Sequence, residues 1–268
     1  MPVTAAVLLA ALLHASWNAL LGPVRDRLAV FALGELVVAG ACVAAAPSVA
    51  PDARSWPYLA ASGVLHLVYA LLLMRSYGVG DFNQVYPLAR GTSPLLVTLA
   101  AALLANERLR ATQLGGVLAV CIGLAALAGR PRAAQREAVL LAAATGVAIA
   151  SYTVLDGLGV RHAGTAIGYT IWLFAIQGLL VALAARRRLP VAAHRWRLAT
   201  LVSSLSILAY GLVIWAQQRG ALGPIAALRE TSVIAAAVIG ALAFHERLGL
   251  RRIAASVVVA AGAVLLNL

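Results

Sequence analysis

Apolar stretches of about 17–22 residues recur along the whole chain, and a helix needs about 20 apolar residues to cross the hydrocarbon core of a bilayer. Hydrophobic residues make up 63% of the chain and charged residues 11%, against roughly 45–50% and about 25% in an ordinary soluble domain. The sequence therefore predicts an all-α integral membrane protein with about ten transmembrane helices. These helices are expected at 3–21, 29–46, 58–76, 83–105, 112–128, 137–156, 165–184, 197–218, 222–244 and 251–267.

The two halves of the chain share a pattern. Arg90–Ser93 opens an apolar segment that ends in Glu107-Arg108-Leu109, and Arg229–Ser232 opens another, 139 residues later, that ends in Glu246-Arg247-Leu248. The pattern predicts two five-helix repeats, at residues 1–129 and 130–268. Because five is an odd number, the second repeat would enter the membrane from the opposite side, giving an inverted-topology repeat typical of transporters.

Several activities are excluded by residue type. All 21 basic residues are arginine, so a Walker A loop and a Schiff-base lysine are both ruled out. We find no HExxH motif, paired aspartates or Ser–His arrangement, and therefore predict no enzyme activity, no cofactor and no metal site. Most of the arginines lie at the ends of apolar segments, where they are expected to meet lipid headgroups and not nucleic acid.

Three segments carry a resemblance to a known family: the run Val85–Gly91 followed by Asn106–Leu109, its counterpart His245–Leu248, and His14–Asn18. The first resembles the fourth helix of the EamA-type carriers of the drug/metabolite transporter superfamily, and the other two are similar to segments of the same family. The resemblance implies ten helices around a central cavity and secondary transport of small metabolites, often the export of amino acids or related solutes. Ile225–Arg229 departs from the motif of the first half, so we expect the two halves to line the cavity differently.

Two arguments about orientation conflict. Counted in order along the chain, the odd-numbered loops hold 14 arginines and the even-numbered loops hold five. The positive-inside rule then places the odd loops in the cytoplasm and both termini outside, whereas the resemblance implies cytoplasmic termini. Both arguments assume a multi-pass protein of the inner (plasma) membrane.

Charged residues inside the fourth and ninth helices are the first site candidates, because such groups must face protein or water. Arg90, with Tyr86, is expected to bind an anionic or amphipathic substrate, and Arg229 lies at the matching depth of the ninth helix. Pro87 and Gly91 weaken the helix around Arg90. The alternative is a structural ion pair between Arg90 and Glu230, and Glu230 is also the candidate for loading a coupling proton.

Polar and aromatic residues on other helices are expected to line the substrate pathway. The competing interpretation is interhelical hydrogen bonding. The candidates are His14, Trp17, Asn18, Tyr69, Tyr152 and Tyr210.

Together these features predict a secondary transporter that works by alternating access, driven by the proton gradient or by exchange. Its predicted partners are a small-molecule substrate, the lipid bilayer and a coupling proton, and the chain would be a monomer or homodimer. The alternatives are a flippase for a lipid-linked substrate and a non-transporting membrane assembly subunit.

Overall fold

A computed structural model describes residues 2–79, 82–128, 136–243 and 249–268, without the side chains of residues 74, 77–79, 82–86 and 243. The described residues form helices and connecting loops and contain no strand, which confirms the all-α fold class. The α-helices are α1 (Val3–Leu21), α2 (Arg27–Ala45), α3 (Trp56–Val79), α4 (Phe82–Leu104), α5 (Ala111–Ala128), α6 (Arg136–Arg161), α7 (Ala166–Ala184), α8 (Leu189–Ala192), α9 (Trp196–Gln217), α10 (Leu222–Arg229), α11 (Ser232–Ala243) and α12 (Leu250–Leu265).

Most of these helices can cross a bilayer. Within the described ranges, nine stretches are long and apolar enough to span, with α10 and α11 counted as one stretch. The tenth predicted helix, α12, has 16 residues. Large apolar side chains such as Leu99, Leu103 and Leu242 are exposed on the outer surface by 59%, 75% and 74%, as expected where helices face lipid. The chain is a multi-pass membrane protein.

One predicted helix end was wrong. The apolar pattern of the sixth helix ends at Asp156, but α6 continues to Arg161. Asp156 therefore lies inside the helix, fully buried. The helix continues past this carboxyl because side chains from α3, α7 and α9 hydrogen-bond to it, which offsets the cost of burying a charged group.

The ninth predicted helix is broken into α10 and α11. Glu230 N donates to Ala227 O and Thr231 N to Leu228 O, both at 3.1 Å, so the helix tightens to three-residue spacing and ends. In contrast, α4 runs without interruption through Pro87 and Pro94. The discontinuity thus falls in the half whose matching positions, Ala226 and Val233, are not proline, and it places Glu230 at a helix break.

The packing contacts of one half recur in the other. Helix α1 packs against α9 and α11, while α6 packs against α3 and α4. Helices α2 and α7 pack against each other, as do α5 and α12. The α5–α12 contact is close: a Cβ added to Gly116 would lie 2.8 Å from Gly262 O, and one added to Gly262 would lie 2.8 Å from Gly116 O. This arrangement leaves a cavity at the centre of the bundle.

Candidate functional site

A cavity of about 590 Å³ is lined by residues of α1, α2, α3, α4, α6, α9 and the α10–α11 pair. This volume falls in the range of about 300–1,000 Å³ that is typical of small-molecule sites. The cavity extends from the middle of the bundle to the ends of helices that meet at the odd-numbered loops. Its lining there includes Leu21, Arg27, Leu73, Leu127, Gly240 and Arg252.

Eight of the ten site residues predicted from sequence line this cavity. Glu230 lies behind the wall and contacts Arg90 from the protein side. Tyr86 lies outside the described side chains. The eight are His14, Trp17, Asn18, Tyr69, Arg90, Tyr152, Tyr210 and Arg229.

Arg90 is held by side chains from the facing helices. Its Nε donates to Glu230 Oε2 at 2.7 Å, and both side chains are buried. Nη1 lies 3.0 Å from His14 Nε2, and Nη2 lies 3.5 Å from Ser232 Oγ. The helix break that follows α10 brings Glu230 and Ser232 to Arg90, so the ion pair considered in the sequence analysis is present.

Arg229 has a different environment. Its Nε lies 3.9 Å from Glu230 Oε1, which is too long for a hydrogen bond. Its Cζ lies 6.0 Å from the centroid of the Tyr210 ring. The side chain is only 5% exposed, yet Nε and Nη2 have no hydrogen-bond acceptor among the described residues. Buried donors are nearly always paired, so Arg229 keeps unused hydrogen-bonding capacity at the cavity wall. Because both nitrogens are themselves buried, a ligand acceptor would reach them only when the side chain turns towards the cavity.

Aromatic side chains form one wall of the cavity. The rings of His66 and Tyr152 are stacked with centroids 4.0 Å apart. Tyr69 and Tyr210 meet the Tyr152 ring edge-on, at 5.6 and 5.9 Å. The Tyr152 hydroxyl also interacts with Arg229. This wall can pack against an apolar or aromatic part of a ligand whose charged end reaches Arg229.

Asp156 was not assigned to the site from sequence. Its side chain is fully buried, and Oδ2 accepts a hydrogen bond from the Tyr210 hydroxyl at 2.6 Å while Oδ1 accepts one from the Tyr169 hydroxyl at 3.0 Å. His66 Nε2 lies 3.3 Å from Oδ2. A signal was available in the spacing, because Asp156 follows Tyr152 by one helical turn and shares its face.

At the opposite end of the bundle, an ion pair joins four helix ends. Arg161 Nη2 donates to Glu107 Oε1 at 2.6 Å and to Gly220 O at 2.9 Å, and Arg161 Nε donates to Gln217 O at 3.2 Å. Glu107 Oε2 accepts from Leu222 N at 2.8 Å, at the start of α10. These contacts tie α4, α6, α9 and α10 together at the even-numbered loops. Among the described residues, the cavity extends to the helix ends at the odd-numbered loops, and these contacts close the end at the even-numbered loops.

Metal-ligating residues do not cluster in the described part of the chain: no group of three or more His, Cys, Asp or Glu side chains could hold an ion there. The polar groups of the cavity therefore offer hydrogen bonds and charge to a ligand.

Comparison with known proteins finds a matching family model and similar solved structures. Residues 136–268 match the model of the EamA-like transporter family. A solved crystal structure of a protein superposes with a TM-score of 0.78 and 19% sequence identity, and the alignment covers 98% of this chain and 95% of the other. That likeness establishes the fold. No curated protein matches the sequence.

Proposed function

We propose that this chain, which belongs to the EamA-like transporter family, moves a small carboxylate-bearing metabolite across the inner membrane by alternating access. The family makes the protein a membrane transporter of small molecules. The substrate class, the membrane and the mechanism are our proposal.

The observation that carries the substrate class is a buried arginine at the cavity wall, Arg229, whose Nε and Nη2 have no hydrogen-bond acceptor among the described residues. Arg90 and Arg229 together bring two positive charges to the cavity wall, and Glu230 supplies one negative charge. An incoming carboxylate would balance the remaining charge and accept hydrogen bonds from Arg229, whose planar guanidinium suits a two-oxygen acceptor. Arg229 is therefore proposed as the anion-binding residue, with Arg90 positioned by its ion pair.

The aromatic wall limits the rest of the substrate. Tyr69, Tyr152 and Tyr210 present ring faces and edges beside Arg229, and Trp17 is stacked on Phe31 across the cavity entrance. A substrate with a carboxylate at one end and an apolar or aromatic body fits both features. Amino acids and related organic acids have this form.

The proposed direction rests on where the cavity reaches and on the charge of the loops. Among the described residues, the cavity extends to the helix ends at the odd-numbered loops, which carry most of the arginines and which the positive-inside rule assigns to the cytoplasm. In this conformation the substrate would load from the cytoplasm, which is the first step of export. Release would require the Glu107–Arg161 contacts to open while the cavity entrance closes.

The recurring helix contacts support the two-repeat organisation at 1–129 and 130–268. In an inverted repeat, each half can adopt the packing of the other. The cavity then closes at the end where it was open and opens at the end where it was closed. We propose that the halves rock in this way around the Arg90–Glu230 pair, which joins α4 of the first half to the helix break of the second.

Counterflow in proteoliposomes tests this function. Vesicles are loaded with pooled amino acids and small organic anions, and uptake of each labelled compound is followed for the native chain and for Arg229→Gln. Arg54→Gln, which changes an exposed arginine in an even-numbered loop, is the matched control.

We expect saturable exchange of a carboxylate compound by the native chain and by Arg54→Gln, and its loss in Arg229→Gln. Exchange that persists in a folded Arg229→Gln variant would contradict the assigned role of Arg229. A well-folded native chain that exchanges no member of the pool but moves a lipid-linked compound would contradict the proposed function and support the flippase alternative.

A further inference from the structure

We propose that the buried Asp156–His66 pair is the site that takes up and releases the proton coupled to transport. The inference rests on the proposed function, because it names the coupling site of the same cavity. From the sequence alone, Glu230 is the candidate for this role; the contacts of Asp156 favour that carboxyl instead.

The chemistry of the pair suits reversible proton binding. Asp156 receives two hydroxyl hydrogen bonds and faces His66 Nε2 at 3.3 Å. No arginine forms an ion pair with it among the described residues. Histidine ordinarily exchanges its proton between pH 5 and 8. One proton from cavity water can therefore be added to the pair, raising its charge by one, and can later leave to water on the other side.

The position of the pair suits alternating access. His66 lines the cavity and so can exchange protons with its water, whereas Asp156 is buried beneath it. Asp156 precedes Arg161 on α6 by five residues, roughly 7 Å along the helix axis. The pair thus lies between the open cavity and the contacts of Arg161 and Glu107 that close the opposite end.

Two aromatic side chains connect the pair to the anion site. Tyr210 donates its hydroxyl hydrogen to Asp156 and places its ring beneath the Arg229 guanidinium. Tyr152 stacks on His66 and interacts with Arg229 through its hydroxyl. These contacts form a closed ring of side chains, so a change of charge at the anion site alters the energy of proton binding, and the reverse. The ring consists of Arg229, Tyr210, Asp156, His66 and Tyr152.

The sign of the coupling follows from the charges. The charged and titratable groups that face the pair are Tyr152, Tyr169, Tyr210 and Arg229, and Arg90 acts on Tyr152 from α4. Positive charge on Arg229 opposes an added proton on His66. A substrate carboxylate at Arg229 cancels that charge, so the anion and the proton favour each other's binding. Both then cross in the same direction, so net export occurs when the substrate's outward gradient exceeds the inward proton gradient.

Two other buried carboxyls among the described residues fit the role less well. Protonating Glu230 would leave Arg90 buried without its counter-ion, which is costly. Glu35 is buried on α2 and accepts a hydrogen bond from the amide of Gln177 at 3.2 Å, but it does not line the cavity. Among the described carboxyls, Asp156 is the one that faces a histidine on the cavity wall and has no arginine ion pair.

The test separates exchange from gradient-driven accumulation. Full-length protein in proteoliposomes is assayed with the carboxylate compound that shows counterflow, first at equal pH on both sides and then with acid outside. The variants are Asp156→Asn, His66→Gln, which keeps a hydrogen-bond donor towards Asp156, and Glu35→Gln as the matched buried-carboxyl control.

We expect the native chain and Glu35→Gln to accumulate the compound when the outside is acid. Asp156→Asn and His66→Gln should lose this accumulation while exchange at equal pH continues; a purely structural role would reduce both activities together. The coupling proposal is overturned if accumulation survives in either folded variant, if exchange and accumulation fall in parallel, or if the native chain exchanges without responding to the gradient. Absence of any exchange by the native chain would overturn the proposed function itself.

Discussion

Arg90 on α4 and Glu230 at the end of α10 form a buried ion pair, with Arg90 Nε 2.7 Å from Glu230 Oε2. The pair joins the two halves of the chain beside the cavity. Because Glu230 lies at the break between α10 and α11, the pair also fixes the place where Arg229 enters the cavity wall. The geometry of the substrate site therefore depends on a buried contact between the two halves.

Removing one partner of this pair should destabilise the protein. Glu230→Gln leaves Arg90 and Arg229 without their shared buried counter-ion, at an expected cost of about 3–5 kcal/mol. Arg90→Met breaks the 2.7 Å pair but leaves Glu230 3.9 Å from Arg229 and should cost less. The combined variant Arg90→Met/Glu230→Leu removes both charges of the pair and should cost less than Glu230→Gln alone. The free energy of unfolding of the purified protein measures this.

Arg75→Met is the control for that series, since the Arg75–Glu137 pair is exposed by 71% and 62% and separated by 3.5 Å. Such surface pairs contribute about 1 kcal/mol or less. Equal losses of stability in Arg75→Met and Arg90→Met would contradict the role assigned to the buried pair.

Substitution at Gly116 should loosen the contact between α5 and α12. An added methyl group would meet Gly262 O at 2.8 Å and Leu266 Cγ at 2.8 Å, and such overpacking typically costs about 1–3 kcal/mol. The neighbouring Gly115 has no atom within 4 Å of an added Cβ. We therefore expect Gly116→Ala to lower the melting temperature while Gly115→Ala leaves it unchanged or raises it; the reverse order would show that the two helices do not meet at Gly116.

The positions of the helices could be predicted from sequence more fully than the site. Apolar stretches separated by Pro, Gly and Arg locate the membrane spans because lipid imposes their length. The break at Glu230 and Thr231 could not be predicted, because no proline or glycine lies at these positions. The broken helix is stabilised by contacts with α4 and α1, which a single sequence does not reveal. The cluster around Asp156 needs residues from α3, α6, α7 and α9, and a single sequence does not specify which faces of these helices meet.

Weakening the contacts of Glu107 should open the closed end of the bundle. Glu107→Gln removes the charge that binds Arg161 at 2.6 Å, and hydrogen bonds to charged groups contribute about 1.5–3 kcal/mol, so the closed end should open roughly tenfold more often. A cysteine at Ala221, in a Cys42→Ala/Cys121→Ala background, reports this as faster labelling by a water-soluble thiol reagent.

Glu137→Gln is the comparison for the labelling experiment, because Glu137 lies at the opposite, odd-loop side and pairs with the exposed Arg75. Its labelling rate at residue 221 should match that of the parent. If Glu107→Gln labels no faster than Glu137→Gln, the Arg161 contacts do not hold this end closed.

The most direct test of the account is the affinity of the cavity for a transported carboxylate compound and for its neutral amide analogue. Two charge-assisted hydrogen bonds from Arg229 should make the native chain prefer the carboxylate by about 100-fold or more. Arg229→Gln should bind the two compounds with nearly equal affinity, while Arg54→Gln keeps the native preference. An undiminished preference for the carboxylate in Arg229→Gln would contradict the central claim that Arg229 binds the anionic end of the substrate.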